Sequence, residues 1–281
     1  MSRSKEIEKD AAPRDPFPVR VKRFFVNLCK TLFFLVCVFI SLWFGYRLHF
    51  FLFESPYFQV NEVKIPDVST ELKEEILEST GLDEVDQVPL NLVKLRVGTL
   101  KRKIREMPKI RTAQVFKKYP STLRILVQPR KCAVIVSGES LFLADAEGVI
   151  MEHLEHPGRK SLKLPVVTGL PRESIAPGAL IRDPAFFKAL DVKAALEKHN
   201  EKLYEKLSEL NINPRGNITA VFEGGTEIRF GRKDPLYRLP ELEAFMKKYA
   251  PSMKGLDRFE YLDLRFQRQI VYSMRQNRNP R

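Results

Sequence analysis

Apolar and polar positions change period several times along the chain, and each change marks an element. From Phe24 to Phe53 the run is almost wholly apolar, broken only by Asn27, Lys30, Thr31, Ser41, Arg47 and His49. The uncharged stretch from Thr31 to Tyr46 reaches about 24 Å as a helix, against about 30 Å of bilayer hydrocarbon. Adding 24–30 closes the gap, because Lys30 can lift its ammonium toward the headgroups on its own stem. The pattern predicts one membrane-spanning helix over 24–53.

Glu54-Ser55-Pro56 ends that helix. Phe58 to Ile65 then reads as a strand. Ser69 or Thr70 caps a helix carrying Leu72, Ile76 and Leu77 on one face, with Gly81 as its stop. A second helix places Val97, Leu100 and Ile104 together and ends before Pro108. Two strands follow, Ile110–Lys118 and a strict alternation through Leu123, Ile125 and Val127, joined at Tyr119-Pro120-Ser121. The order is strand–helix–helix–strand–strand, a small three-stranded sheet with two helices on one face.

Beyond Lys131 strands dominate. Cys132–Val136 and Ser140–Ala144 flank a hairpin signal, and Val149–Glu152 and Leu164–Thr168 are short strands. Asp183-Pro184 opens a helix expected to run to about Lys206. Leu207–Ile212, Ile218–Phe222 and Thr226–Phe230 form a meander with Gly224-Gly225 as a tight turn. Asp234-Pro235 opens a helix whose Leu239, Leu242, Met246 and Tyr249 share one face. Glu260–Phe266 and Ile270–Met274 close the fold as a hairpin. The expected class is therefore α+β: one amino-terminal transmembrane helix, a βααββ domain, then a mainly antiparallel β-domain with two covering helices. The expected divisions are 1–23, 24–53, 54–130, 131–274 and a basic tail 275–281.

Charge orients the anchor. Residues 1–23 hold seven basic groups, whereas 54–73 hold only Lys64 and Lys73. Positive charge stays in the cytoplasm, which puts the amino-terminus inside and the bulk of the chain outside. A cleaved signal peptide is the rival reading, but Phe44–Phe53 offers no small-residue cleavage site. Three prolines among alternating charges make 1–23 an expected disordered arm. The net charge of +13 suggests nucleic acid until its distribution is considered. Much of it lies in the arm, the anchor and the stretch from Arg265 onward, leaving the body only mildly basic. An anionic membrane or wall polymer suits that last stretch better, and a merely solvated tail suits it equally. Cys29 and Cys37 fall in the anchor and Cys132 stands alone outside it, so no disulfide is expected to hold the exported region.

Chemistry is hard to find in this sequence. His153 and His156 lack further ligands at metal spacing, and neither a nucleophile elbow nor a phosphate loop occurs. Cys132 sits in a strand run, as a structural thiol would. Neither catalytic residues, metal nor cofactor are expected, and the chain reads as a non-enzyme. What remains is sheet edge, a ready template for a partner strand. The candidates are Tyr261, Leu262, Asp263, Leu264, Arg265, Phe266, Ile270, Val271, Tyr272, Ser273 and Met274. The same alternation would also serve a hairpin that only completes the core. A proline at Val271 would probe the edge.

Five motifs in order behind this anchor carry a resemblance. They are Met107-Pro108-Lys109-Ile110 leading to Val115, Tyr119-Pro120-Ser121-Thr122-Leu123, Leu143-Ala144-Asp145-Ala146-Glu147-Gly148-Val149, Leu164-Pro165-Val166-Val167-Thr168-Gly169 and Tyr261-Leu262-Asp263-Leu264-Arg265-Phe266. Together they resemble the FtsQ/DivIB family of bacterial cell-division proteins, with a POTRA domain followed by a β-domain. Two departures stand out: Lys109 where the family has Trp, and Lys131-Cys132-Ala133 in place of Pro-x-Ala. The resemblance implies a scaffold of the divisome in the inner membrane at the septum, linking division proteins to septal peptidoglycan synthesis. It implies partners of the bitopic coiled-coil FtsB/DivIC and FtsL types, bound by strand addition at 261–266 and 270–274, with other division proteins on the POTRA domain. Two other classes are a POTRA-bearing envelope transport component, which would carry a barrel or serial POTRA repeats, and an anchored envelope hydrolase, which would show a nucleophile or metal set.

Overall fold

The computed structural model describes residues 17–83, 90–154, 163–171, 175–232, 235–250 and 253–275. Several positions singled out in the sequence lie outside them: the arm to residue 16, His156, Asp234 and the tail from 276. Helix α1 (Phe17–Glu54) takes up the long apolar run, and its Val21–Glu54 stretch is long and apolar enough to cross a membrane. Phe33, Phe39 and Leu42 are each about 70% exposed on it, so no protein core among the described residues covers this apolar surface.

β1 (Glu62–Lys64), α2 (Thr70–Thr80), α3 (Val97–Glu106), β2 (Ile110–Lys118) and β3 (Thr122–Pro129) follow in the expected order, with the sheet arranged β1-β3-β2. Ser69 caps α2 by accepting from the Leu72 N–H at 3.3 Å, and Gly81 ends it at φ 71°. That left-handed turn is open to glycine without strain. Buried Ile76 on α2 and Leu100 and Ile104 on α3 are the apolar faces that the periodicity marks.

The second sheet has nine strands: β4 (Cys132–Ser137), β5 (Leu141–Asp145), β6 (Ile150–His153), β7 (Val166–Thr168), β8 (Leu207–Ile212), β9 (Ile218–Phe222), β10 (Glu227–Gly231), β11 (Phe259–Asp263) and β12 (Val271–Met274). Their order is β12-β11-β10-β9-β8-β7-β4-β5-β6. Most neighbours are antiparallel, but β7 runs parallel to β4 and β8, and β10 runs parallel to β11. Parallel neighbours need a long crossover. The crossover from β7 to β8 carries α4 (Pro184–His199) and α5 (Glu201–Tyr204). The one from β10 to β11 carries α6 (Leu239–Tyr249) and α7 (Met253–Leu256). The expected helix to Lys206 breaks at Asn200, whose side chain accepts from the Leu203 N–H at 3.1 Å and starts a new turn.

Across the sheet Val167, Leu210, Ala220, Ile228 and Leu262 stand side by side, all fully buried. Phe186, Ala189, Val192 and Leu196 of α4, with Leu242, Phe245 and Met246 of α6, complete this core. Each large buried side chain contributes about 1.5–3 kcal/mol. Gly169 must stay bare: at φ 86°, a Cβ there would sit 1.8 Å from the Ile212 carbonyl oxygen.

By contact the described residues form two units, 17–62 with 90–95 and 117–123, and 63–83 with 96–116 and those from 124 onward. Within the second, ion pairs join the βααββ strands and helices to the large sheet. Lys109 reaches Glu75 of α2 at 3.0 Å and Glu152 of β6 at 2.7 Å. A cation thus bridges two elements where the resembling family has an aromatic ring. Burial pulls its pKa down, but hydrogen bonds to Glu152 and Glu75 outweigh that and hold it above the ordinary lysine value. Arg130 Nη1 pairs with buried Asp145 at 2.6 Å and with Glu147 at 3.3 Å, while Arg111 reaches Glu147 at 2.8 Å.

Candidate functional site

A strand edge is defined by where its backbone groups go. β12 lies at one end of the nine-stranded sheet, and β11 lies one place in, between β12 and β10. The Arg275 N–H donates to the Arg258 carbonyl at 2.7 Å, and the Leu264 N–H donates to the Arg229 carbonyl at 2.9 Å. Backbone groups alternate sides along a strand. Residues 271 and 273 therefore face β11, opposite Asp263 and Tyr261, while the N–H and C=O of Tyr272 and Met274 point outward. Among the described residues nothing covers them, and Val271, Tyr272 and Met274 are 40–58% exposed.

The sequence candidates thus divide by role. Leu262 and Leu264 are fully buried and Asp263 nearly so, and β11 is hydrogen-bonded on both sides. These residues support the edge and do not form it. Ile270 is half-buried against the main core, whereas Arg265 and Phe266 are exposed on the turn. The strand expected over 260–266 stops at Asp263, because its carboxylate accepts from the Arg265 N–H at 3.0 Å and bends the chain. Val271 is a poor place for a proline probe, since its N–H faces β11. Tyr272 and Met274 are the right places.

Side chains on both faces brace the edge. Tyr272 packs against Phe245 of α6 and Phe259 of β11, with centroids 5.6 and 5.4 Å away. On the opposite face the Arg229 guanidinium lies 4.1 Å from the Tyr261 ring centre. The turn between β11 and β12 is pinned by Arg238, which sequence reasoning missed. Its Nε donates to the Leu264 carbonyl at 2.8 Å, and its Nη2 donates to the carbonyls of Phe266 and Gln269. Arg238 precedes a helix 26 residues from Leu264, so no local pattern announces it. For Asp263, burial alone would raise the pKa. Hydrogen bonds from the Arg265 side chain and backbone outweigh that and hold the carboxyl below its usual range.

Candidate chemistry elsewhere resolves plainly. No group of three or more His, Cys, Asp or Glu is placed to hold a metal among the described residues. Cys132 is half-buried, and burial together with the nearby Glu152 charge pushes its thiol up, away from the thiolate that nucleophilic chemistry needs.

Comparison with known proteins converges on one family. Residues 58–130 match the POTRA domain of FtsQ type, and residues 133–265 match the FtsQ/DivIB carboxy-terminal domain. The chain is 28% identical to the cell division protein FtsQ of Syntrophotalea carbinolica over 226 residues, 79% of this chain and 76% of the relative. It is 23% identical to FtsQ of Geotalea daltonii over 233 residues, 81% of this chain and 80% of the relative. The two domain matches run in consecutive order behind an apolar helix, on a βααββ sheet and a larger mixed sheet, and the chain belongs to the FtsQ/DivIB family of cell-division proteins.

Proposed function

We propose that the chain is a non-catalytic scaffold of the divisome that captures a partner by adding its strand to β12. The outward backbone of Tyr272 and Met274 carries this reading: an extended segment can bond to it while Phe245, Phe259 and Tyr261 hold the strand flat. The partner is a bitopic coiled-coil protein of FtsB/DivIC type, itself paired with an FtsL type, which the scaffold links to septal peptidoglycan synthesis. Seven basic groups in 1–23 against two in 54–73 support a cytoplasmic arm and an exported body. The functional divisions follow as arm 1–23, anchor 24–53, POTRA domain 54–130, β-domain 131–274 and basic tail 275–281. The POTRA domain offers a second surface for other division proteins.

The test is Tyr272→Pro in the full chain, co-purified from detergent-solubilised membranes. The variant should still fold cooperatively, with its transition lowered only by the lost ring contacts to Phe245 and Phe259, lose the coiled-coil partner and leave cells as unseparated filaments. Val271→Pro should lower stability further, because it removes an inward hydrogen bond. Undiminished capture by a folded Tyr272→Pro chain contradicts the proposal.

A further inference from the structure

At its carboxy-terminal end α1 is tied by hydrogen bonds to segments distant in sequence rather than running on as a free linker. The last carbonyls of a helix lack intrahelical partners, and here Asn91 supplies them: its Nδ2 donates to the Leu52 and Phe53 carbonyls at 3.1 and 3.0 Å. Its Oδ1 accepts from the N–H groups of Val93 and Lys94 at 2.8 and 3.2 Å. Lys94 pairs with Glu54 at 3.7 Å. Backbone bonds from Val60 to Leu90 (2.8 Å), Leu92 to Phe58 (2.7 Å) and Asn61 to Ser121 (2.9 Å) tie three further segments to that helix end. These residues all belong to one compact unit with α1.

This tied foot of α1 carries a specific chemistry. Phe58 lies at its centre, with ring centroids 5.5 Å from Phe51, 5.1 Å from Tyr57 and 6.3 Å from Tyr119. Tyr57 and Tyr119 are 59% and 57% exposed, although aromatic rings of this size ordinarily seek cover. Lys118 precedes Tyr119 in the chain and is exposed, and exposed Lys94 lies 6.0 Å from the Phe53 ring centre at the end of α1. Rings with an apolar body and a polar tip favour the membrane–water boundary, and lysines beside them favour lipid phosphates. Tyr57 follows Glu54 by three residues. The apolar anchor therefore delivers it to the headgroup layer, which is about 5–8 Å deep on each side of the hydrocarbon.

The geometry points to a lipid-docking foot: Tyr57, Tyr119, Lys94 and Lys118 seat on the phospholipid headgroups around the end of α1, with a preference for anionic lipid. This rests on α1 spanning the bilayer. It adds a second membrane contact that fixes how the chain leaves the membrane, where a single helix alone would leave it free to swivel.

Trp43 is the sole tryptophan and lies within the anchor, which permits a clean test. The full chain is reconstituted in phosphatidylcholine nanodiscs with and without phosphatidylglycerol, in two forms. The native form reports through Trp43 with an acyl-chain quencher. The double variant Trp43→Phe, Tyr119→Trp reports at position 119 with a headgroup spin-labelled lipid. Docking predicts quenching of both probes, stronger at 119 when phosphatidylglycerol is present. Lys118→Gln should lower the docked-to-undocked ratio on anionic discs about five-fold. A quenched Trp43 with an unquenched probe at 119 overturns the foot alone. An unquenched Trp43 overturns the anchor and the foot together. Quenching at 119 that ignores both phosphatidylglycerol and Lys118→Gln overturns the assigned lipid preference.

Discussion

The two ends of the nine-stranded sheet are built in opposite ways. At one end β6 is closed: the Ile150 N–H donates to the Ala179 carbonyl at 3.0 Å, and its carbonyl accepts from the Gly178 N–H at 2.8 Å. A bridge between Val149 and Leu180 extends that strap, and a register shift between β5 and β6 bends the strand. At the other end β12 has neither strap nor ion pair over its outer backbone among the described residues. Proteins normally blunt an edge with a cover, a bulge or a charge. The closed end has all three, counting Lys109 on Glu152. The β11–β12 pair has a register shift of its own, so the difference between the two ends lies in the strap and the ion pair, and the proposed strand addition rests on their absence over Tyr272 and Met274 among the described residues.

Breaking the closed end should cost most at Arg130. Arg130→Ala leaves Asp145, 2% exposed, without its charge partner, and should lower unfolding stability by about 3–5 kcal/mol. Denaturant titration of the purified chain in detergent would measure it. Next comes Gly148→Ala. Gly148 sits at φ 83° with a Cβ position 2.9 Å from the Ile181 carbonyl in the strap. A cost of about 2–3 kcal/mol follows from strain and clash, together with faster amide exchange at Ile150.

At the open end Asp263→Asn should cost about 1–2 kcal/mol at neutral pH, because charged hydrogen bonds to Arg265 are weakened. The folded-state pKa of Asp263 is depressed, so its stabilisation is fully present above the unfolded value of about 3.9 and lost as pH falls through the folded one. The native chain should therefore lose stability in acid more steeply than the variant does. Lys109→Met should act least, below about 1 kcal/mol near neutrality, because its ion pairs are partly exposed. Here the folded pKa is raised. The contribution holds below about 10.4 and disappears as pH rises above it, so in an alkaline melting series the native chain should lose its small advantage and converge on the variant.

Much of this was legible in residue patterns. The anchor, the α2 cap at Ser69 with its Gly81 stop, and the closing hairpin each follow from contiguous residues whose spacing has one physical meaning. What escaped was non-local. The parallel pairs were hidden because a strand's partner is chosen by the crossover helix, not by its own alternation. The alternation marked Tyr261–Phe266 and Ile270–Met274 alike, yet only the register distinguishes buried Leu262 from exposed Tyr272. Arg238 escaped, as did the partners of Lys109, because each cation joins segments far apart in sequence and a lone cation carries no pattern.

Hydrogen exchange tests the bare edge most directly. The full chain is compared alone and mixed with the coiled-coil partner proposed for it, amide by amide along β12. Strand addition predicts that Tyr272 and Met274 exchange quickly when free and become protected in the complex, with Ile150 protected in both. Protection of Tyr272 and Met274 already present in the free chain, or no change on capture of the partner, would contradict it.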